Sequence, residues 1–339
     1  MDGQLVGFEG TTSVLAATSR RGRWWLPVAI LILAAAGLLA AHIGPAGSIS
    51  SANWDLIWAV RMPRVVLAAM VGAMLSVAGA SYQGAFGNPL ADPYLLGVAA
   101  GSGLGATIVF VVGRANTSGW IIDPLPLASF VGGLAAVLAT YLIGAAFGSS
   151  RSSLTLVLAG VAVTSLVTAV QTFILYRNSE VIREVYSWIL GRLSTATWRD
   201  VRLVAPYIFG SCFVLLLHRR HLDVLRVGDD EASSLGMRVS RVRLIVVVAA
   251  TLGTAAAVSV SGLIGFVGIV VPHAVRMISG SSYRRLLPLT IVLGAAFLIL
   301  TDIPGRVLRT GSETPIGVVT AFFGAPFFIV VLLRRRLAR

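Results

Sequence analysis

No lysine occurs in this chain: all 27 basic residues are arginine, set against 14 acidic ones. A P-loop places a lysine against nucleotide phosphates and Schiff-base catalysis needs a lysine amine, so neither chemistry is available here. The single cysteine, Cys212, lies in an apolar run and allows no internal disulfide. Charge of either sign is scarce. Only 12% of residues carry it, 56% are hydrophobic and the mean hydropathy is +0.87. So few charges do not cover a soluble surface, and the composition is that of an integral membrane protein. The long apolar runs lack period-two alternation, which excludes a β-barrel; with no water in the bilayer core to satisfy backbone groups, a helical bundle is the architecture left. Metalloprotease HExxH and nucleophile-elbow GxSxG patterns are missing, as are paired carboxylates within an apolar run, so an intramembrane enzyme has little support. The net charge of +13 sets orientation against the lipid surface more readily than it marks nucleic acid.

What is present is a succession of apolar runs. Residues 1–23 read as a polar cytoplasmic tail, and residues 24–41 as the first membrane helix. Ser19-Arg20-Arg21 ahead of that run also admits a twin-arginine signal, although the run is long enough to span most of the bilayer core. Runs free of Asp, Glu and Arg continue at 65–91, 93–113, 124–150, 152–176, 203–217, 244–275, 286–301 and 314–333. The run at 244–275 is too long for one crossing and too short for two ordinary ones; its glycines predict a full helix to Val260, a tight turn, and a short helix through Val270-Val271-Pro272-His273. The pattern predicts an all-α membrane protein with ten transmembrane helices and both termini on one side. Most of the arginines then fall on that side, which makes it the cytoplasm. No crossing holds an ionisable residue in its middle, which argues against ion-driven transport and for an energy source outside the bilayer.

Between the apolar runs lies a charged segment, 219–243, that cannot be buried in lipid. Asp229, Asp230 and Glu231 suit the first turn of a short helix, where carboxylates meet the positive dipole end, and Gly236 suits its stop. Ala232, Leu235 and Met237 give that helix a small apolar side, and Leu222, Leu225 and Val227 do the same for a piece just upstream. Barely two turns do not hold in water without packing or a partner. The segment reads either as a solvated positive loop or as a docking surface.

Other features are weaker. Gly87-Asn88-Pro89-Leu90-Ala91-Asp92-Pro93 is turn chemistry that breaks a helix on the cytoplasmic side, as a plain connector or as a rigid plug at the mouth of a path. Arg61, Arg64, Arg306 and Arg309 fall on the outer side, either snorkelling or meeting carboxylates of another protein. His218 and His221 share a helix face, and His273 stands alone, without the further donors a metal site needs. Trp24, Trp25, Trp54, Trp58, Trp188, Trp198, Tyr82 and Tyr283 fall near run boundaries and read as an interfacial belt. Gly97, Gly101 and Gly105, Gly144 and Gly148, and Gly72 with Ser76 have the spacing of close helix packing.

Taken in order, RMPR at 61–64, GNPLADPYLLGV at 87–98, LAGVA at 158–162, SWILGR at 187–192, VGDDEASSLGM at 227–237, SGLIGFVGIVVPHAVRM at 261–277 and PIGVVTAFFGAPFFI at 315–329 resemble one family: the FecCD-type membrane permeases of ABC importers for iron-siderophore complexes, haem and cobalamin. The resemblance runs from about residue 24 to the end. It implies a ten-helix, multi-pass subunit (24–339, with 219–243 as the coupling segment) in the inner membrane of a bacterium, paired with a second permease, two cytoplasmic ATPase subunits and an extracytoplasmic binding protein. ATP and magnesium would belong to the ATPases, with no cofactor, metal or catalytic site in this chain. Matched position by position, Gly228, Glu231, Ala232, Leu235 and Gly236 correspond to the helix that docks on the ATPase. Asn88, Leu90, Ser153, Leu154 and Leu158 correspond to the cytoplasmic gate, and Arg61, Arg64 and Arg306 to the contacts with the binding protein. An ion-coupled secondary transporter is the alternative. The sequence departs from the family pattern in its long polar start and in AAGS at 99–102, where a serine-rich version is usual.

Overall fold

The computed structural model describes residues 24–43, 57–113, 123–146, 153–307 and 313–337. Helix α1 is Trp25–His42. A π-helical turn at Ile57–Arg61 leads into α2, Met62–Ala85, with Pro63 in the first turn, where its missing N–H goes unnoticed. Then follow α3 (Val98–Val112), α4 (Pro124–Ala146), α5 (Ser153–Arg177), the short α6 (Ile182–Ile189) and α7 (Trp198–Leu217). Two short helices, α8 (Arg219–Leu225) and α9 (Asp229–Ser234), precede α10 (Val239–Ser261), α11 (Val267–Ser279), α12 (Tyr283–Val307) and α13 (Ile316–Leu337). Seven of the described helices are long and apolar enough to cross a membrane, and three shorter apolar ones, α3, α11 and the apolar part of α13, accompany them. The expected tail at 1–23, Trp54, Gly148 and Arg309 lie outside the described residues.

α2 is the hub. Nearly every residue from Pro63 to Ala85 is buried, because α12, α10, α11 and α7 all pack on it. Lipid tails are as apolar as Leu, so helices in a membrane gain by close backbone approach, and small residues mark each crossing. Gly72 and Ser76 of α2 lie against Gly294 of α12, and Gly79 of α2 lies on the Gly268 carbonyl of α11. On the other flank, Gly101 and Gly105 of α3 meet the carbonyls of Gly132 and Ala128 on α4, and Gly144 meets Leu156 of α5. The spacing seen in the sequence is thus used at helix crossings.

The break predicted inside 244–275 is present. α10 ends at Ser261, Gly262 turns at φ 68°, and α11 begins at Val267. An L side chain at Gly262 would be strained there and would also collide with the Trp188 carbonyl. Phe266, the residue before α11, takes a left-handed φ of 68°, which is rare for a bulky residue. Its Cβ lies close against Gly324 of α13, so the neighbouring helix holds that conformation.

Candidate functional site: an exposed acidic helix and the charged residues at both ends of the bundle

The segment 219–243 forms the two short helices that its composition predicts. α9 opens on Asp229, Asp230 and Glu231 and closes in a Schellman motif: the Gly236 N–H donates to the Ser233 carbonyl and the Met237 N–H to that of Ala232, at 2.9 and 3.1 Å. Gly236 has φ 84°, the conformation this ending requires. Glu231 folds back onto Gly228. Ala232 is fully buried and anchors the helix, whereas Leu235 is 73% exposed and Val227 58% exposed. Two apolar knobs therefore stand in solvent beside Asp230, Glu231 and Arg238, which are exposed too.

Two side chains fasten this surface to the bundle. Arg243, near the start of α10, donates from Nε to the Ala85 carbonyl at the end of α2 (2.7 Å) and from Nη2 to both carboxylate oxygens of Asp229 (2.8 and 2.9 Å). Asp223 of α8 accepts from Ser282 Oγ (2.8 Å) and from the Tyr283 N–H (2.7 Å), capping α12 from another element. Neither role was predicted. Arg243 had counted only towards the charge bias, and no local pattern joins Asp223 to residue 283.

The loop at 86–97 lies at the same end. Asn88 Oδ1 accepts from the Leu90 N–H (2.9 Å) and Asp92 Oδ1 from the Tyr94 N–H (2.8 Å), so two side-chain turns set its path. Gln83 of α2 donates to the carbonyls of Ala91 and Gly268, while Tyr94 Oη donates to the Ile264 carbonyl and accepts from its N–H. The loop is in this way tied to the turn between α10 and α11. Burial pushes the Asp92 carboxyl up to about 6, the Tyr94 N–H offsetting part of that effect. Asn88 and Leu90 are exposed, and so are Leu154 and Leu158 on the first turns of α5, the helix that Ser153 begins. The uncovered face of α5 continues through Ser165, Thr168, Thr172 and Tyr176, mixing hydroxyls with apolar groups.

Three quoted motifs meet at the opposite end. Gly191 of SWILGR, Gly262 of SGLIGF and Gly317 of PIGV sit together. The Ile316 and Gly317 N–H groups donate to the carbonyls of Gly191 and Leu190 (3.2 and 3.0 Å), and the Arg192 N–H to that of Ser261 (2.8 Å). α6 leads into this crossing with Val185 and Trp188 buried and its other side exposed. The sequence reading missed it as a helix, although the i, i+3 apolar pair beside Arg183 and Glu184 was its signal.

The family resemblance implies that Arg61, Arg64 and Arg306 meet the binding protein. In the structure they turn inward. Arg64 makes a two-pronged pair with Asp302 of α12 at 2.8 Å and reaches Glu313, and Arg306 pairs with the same Asp302, which is only 2% exposed. Arg306 Nη1 also donates to the carbonyls of Ala40 and Ile43, and Arg61 Nη1 to those of Ala41 and His42. The open C-terminus of α1 is therefore capped by guanidinium groups from α12 and the turn before α2. The physical reason is that an uncompensated carboxylate such as Asp302 is costly to bury, and two arginines beside it compensate its charge. The signal for Asp302 was its i, i+4 spacing to Arg306.

The aromatic belt also needs correction. Tyr82, Trp188 and Tyr283 are buried at 1%, 2% and 4% exposure, and Tyr82 Oη bonds Thr251 at 2.6 Å. Nearness to a run boundary does not separate an interfacial aromatic from one packed against another helix. Trp24 and Trp58 are exposed, and Trp58 packs on Trp198 with ring centroids 5.2 Å apart. The His218 and His221 rings are neighbours at 5.3 Å, with His218 Nδ1 on the Val214 carbonyl.

The sequence matches the model of the FecCD transport family over residues 24–334. It is 39% identical over 280 residues to the cobalamin import system permease BtuC of Halobacterium salinarum, covering 83% of this chain and 74% of that one. It is 34% identical to the hemin transport system permease HmuU of Yersinia pestis, covering 85% and 86%. The fold superposes at a TM-score of 0.81 and 29% identity on an inward-facing ABC transporter assigned to the metal-chelate type, covering 91% of this chain and 98% of that one. A family match that begins with α1 and reaches into the last turn of α13, carried by relatives this similar over this much of their length, places the chain in the FecCD transport family.

Proposed function

We infer that this multi-pass membrane protein is the permease subunit of an ABC importer that carries a metal chelate, an iron-siderophore complex, haem or cobalamin, across the inner membrane of a bacterium. The chain crosses ten times with both termini in the cytoplasm and works beside a second permease, two ATPase subunits and an extracytoplasmic binding protein. It has no nucleotide site of its own; ATP and magnesium are held by the ATPases. The observation that carries this reading is the α9 surface: a buried Ala232 anchor with exposed Leu235, Glu231 and Gly236, set at one end of an otherwise apolar bundle. An exposed Leu among charges suits a cleft on a partner. On this reading Gly228, Glu231, Ala232, Leu235 and Gly236 dock on the ATPase, while Asn88, Leu90, Ser153, Leu154 and Leu158 close the path on the cytoplasmic side. The hydroxyl-bearing, uncovered face of α5 suits a path shared with the second permease.

Arg61, Arg64 and Arg306 serve binding-protein docking in a modified sense. Their guanidinium groups, buried and paired with Asp302, Glu313 and the α1 carbonyls, hold the outer ends of α1, α2 and α12, and the rim of those ends meets the binding protein.

The test is uptake of radiolabelled cobalamin, haemin and a ferric hydroxamate by cells carrying the permease with Glu231→Gln or Gly236→Val. Uptake of one cargo should fall while the folded permease persists in the membrane, and the ATPase subunits should no longer co-purify. Uptake that stops when the ion gradient is collapsed at unchanged ATP would favour an ion-coupled transporter instead. The only buried carboxylate deep in a described helix, Asp302, is held between two arginines and is poorly placed to carry a proton.

A further inference from the structure

We propose that α2 and α12 act as a single strut through the bundle, and that Arg243 and Asp223 are the positioning residues that fasten α8 and α9 to its inner end. The inference rests on the permease reading and goes beyond it by naming the route along which a displacement of α9 reaches the far face.

At the inner end the attachment combines buried apolar anchors, Leu222, Leu225 and Ala232, with two polar links. A cavity of about 590 Å³, lined by Gln83, Phe86, Val227, Arg276 and Tyr283 among others, opens between the foot of α2 and the α8–α9 segment. The polar links that tie α9 and α8 to the two helix ends are the Arg243 guanidinium, which holds Asp229 and the last carbonyl of α2 together, and the Asp223 carboxylate, which holds the first N–H of α12. Leu222 and the Tyr283 ring fill the space over Gly84, so the ends of α8, α2 and α12 also touch there. Arg243 belongs to α10, but its reach is outward from that helix to the other two.

Along the strut the two helices are in backbone contact at Gly72 and Gly294, with Ser76 Oγ against Gly294. Packed backbone of this kind transmits a shift without taking it up in side-chain motion. At the far end Arg64 of α2 and Arg306 of α12 close on one carboxylate, Asp302, and Arg61 and Arg306 extend the grip to α1. A helix of about 24 residues rises about 36 Å, so the strut joins surfaces on opposite sides of a bilayer core. Both ends are polar clamps and its middle is glycine on glycine; α11, which also packs on α2, is short and begins only at Val267. A contiguous route becomes a coupling route only when two sites are shown to bias each other through it.

The experiment uses the whole transporter, with its ATPase subunits and binding protein, reconstituted in liposomes. Three quantities are read for Arg243→Gln, Asp223→Asn and the double variant: co-purification of the ATPase, basal ATP hydrolysis, and the stimulation of hydrolysis by the binding protein. Co-purification and basal hydrolysis should persist, whereas stimulation should fall about tenfold, the size of a typical coupling between sites. The double variant should lose no more than the worse single one, because both act on one route, and Arg243→Lys should recover part of the stimulation. A merely structural role would lower all three quantities together. Stimulation retained in both single variants overturns the proposal, and so does loss of co-purification in either, which would place that residue in docking. If the wild-type permease itself fails to hold the ATPase subunits, it is the permease reading that falls.

Discussion

The two ends of the bundle solve the same problem, joining charged groups to helix termini, in different ways. At the outer end the charges are inside: Asp302 is 2% exposed and Arg306 3%; Asp302 accepts from Arg64 and Arg306, and Arg306 also donates to open carbonyls of α1. At the inner end the Asp229 side chain is 50% exposed, and its pair with Arg243 borders solvent. Removing one member of a buried pair strands the rest without water, whereas replacing the half-exposed Asp229 carboxylate costs less, and Arg243, itself buried, keeps the Ala85 carbonyl. The outer clamp is therefore a stability device, and the inner one holds a surface in place while leaving it free to meet a partner.

The largest effect expected from this contrast comes from Asp302→Asn. Two buried guanidinium groups lose their shared charge, and the folded permease should lose about 3–5 kcal/mol, read as a lower melting temperature in detergent and as poor membrane yield. Next is Gly79→Ala, which sets a methyl group against the Gly268 carbonyl and should lower stability by about 1–3 kcal/mol through overpacking between α2 and α11. Asp229→Asn tests the comparison directly. Its half-exposed carboxylate should be worth less than about 1 kcal/mol, since Arg243 keeps the Ala85 carbonyl; a melting temperature as low as that of Asp302→Asn would erase the distinction between the ends. The smallest expected effect is a pH dependence at Asp92. Its carboxyl is raised to about 6 in the fold, above the ordinary value of about 4, so the folded chain binds more protons in that window. Stability should rise as pH falls from 7 towards 4, and melting curves of Asp92→Asn should lose that rise.

Much of the helical framework could be read from residues in order, because its causes are local. The glycines of 244–275 place the break between α10 and α11, and the three carboxylates before Gly236 bound α9 to within a residue or two. Turn chemistry and dipole preferences act over a few residues, so sequence order is enough to see them. α6 escaped because its two buried residues are too few to give a run, and its function as the lead into the Gly191 crossing depends on chain from 261 and 316. The reach of the site was hidden for the same reason. Arg64 and Asp302 are 238 residues apart, and Asp223 and Tyr283 are 60 apart.

By itself the sequence determined that this chain lives in lipid as helices, has no lysine with which to bind nucleotide in a P-loop, and carries an acidic-to-glycine helix that must stay in water, since composition and local backbone preference are enough for each. Tertiary structure decided which way the charged and aromatic side chains point. Tyr82 is buried and Arg61, Arg64 and Arg306 turn inward because the partners that make burial favourable, Thr251, Asp302 and the end of α1, come from distant parts of the chain. Burial of a polar group is favourable only beside its partner, and only the fold brings the two together.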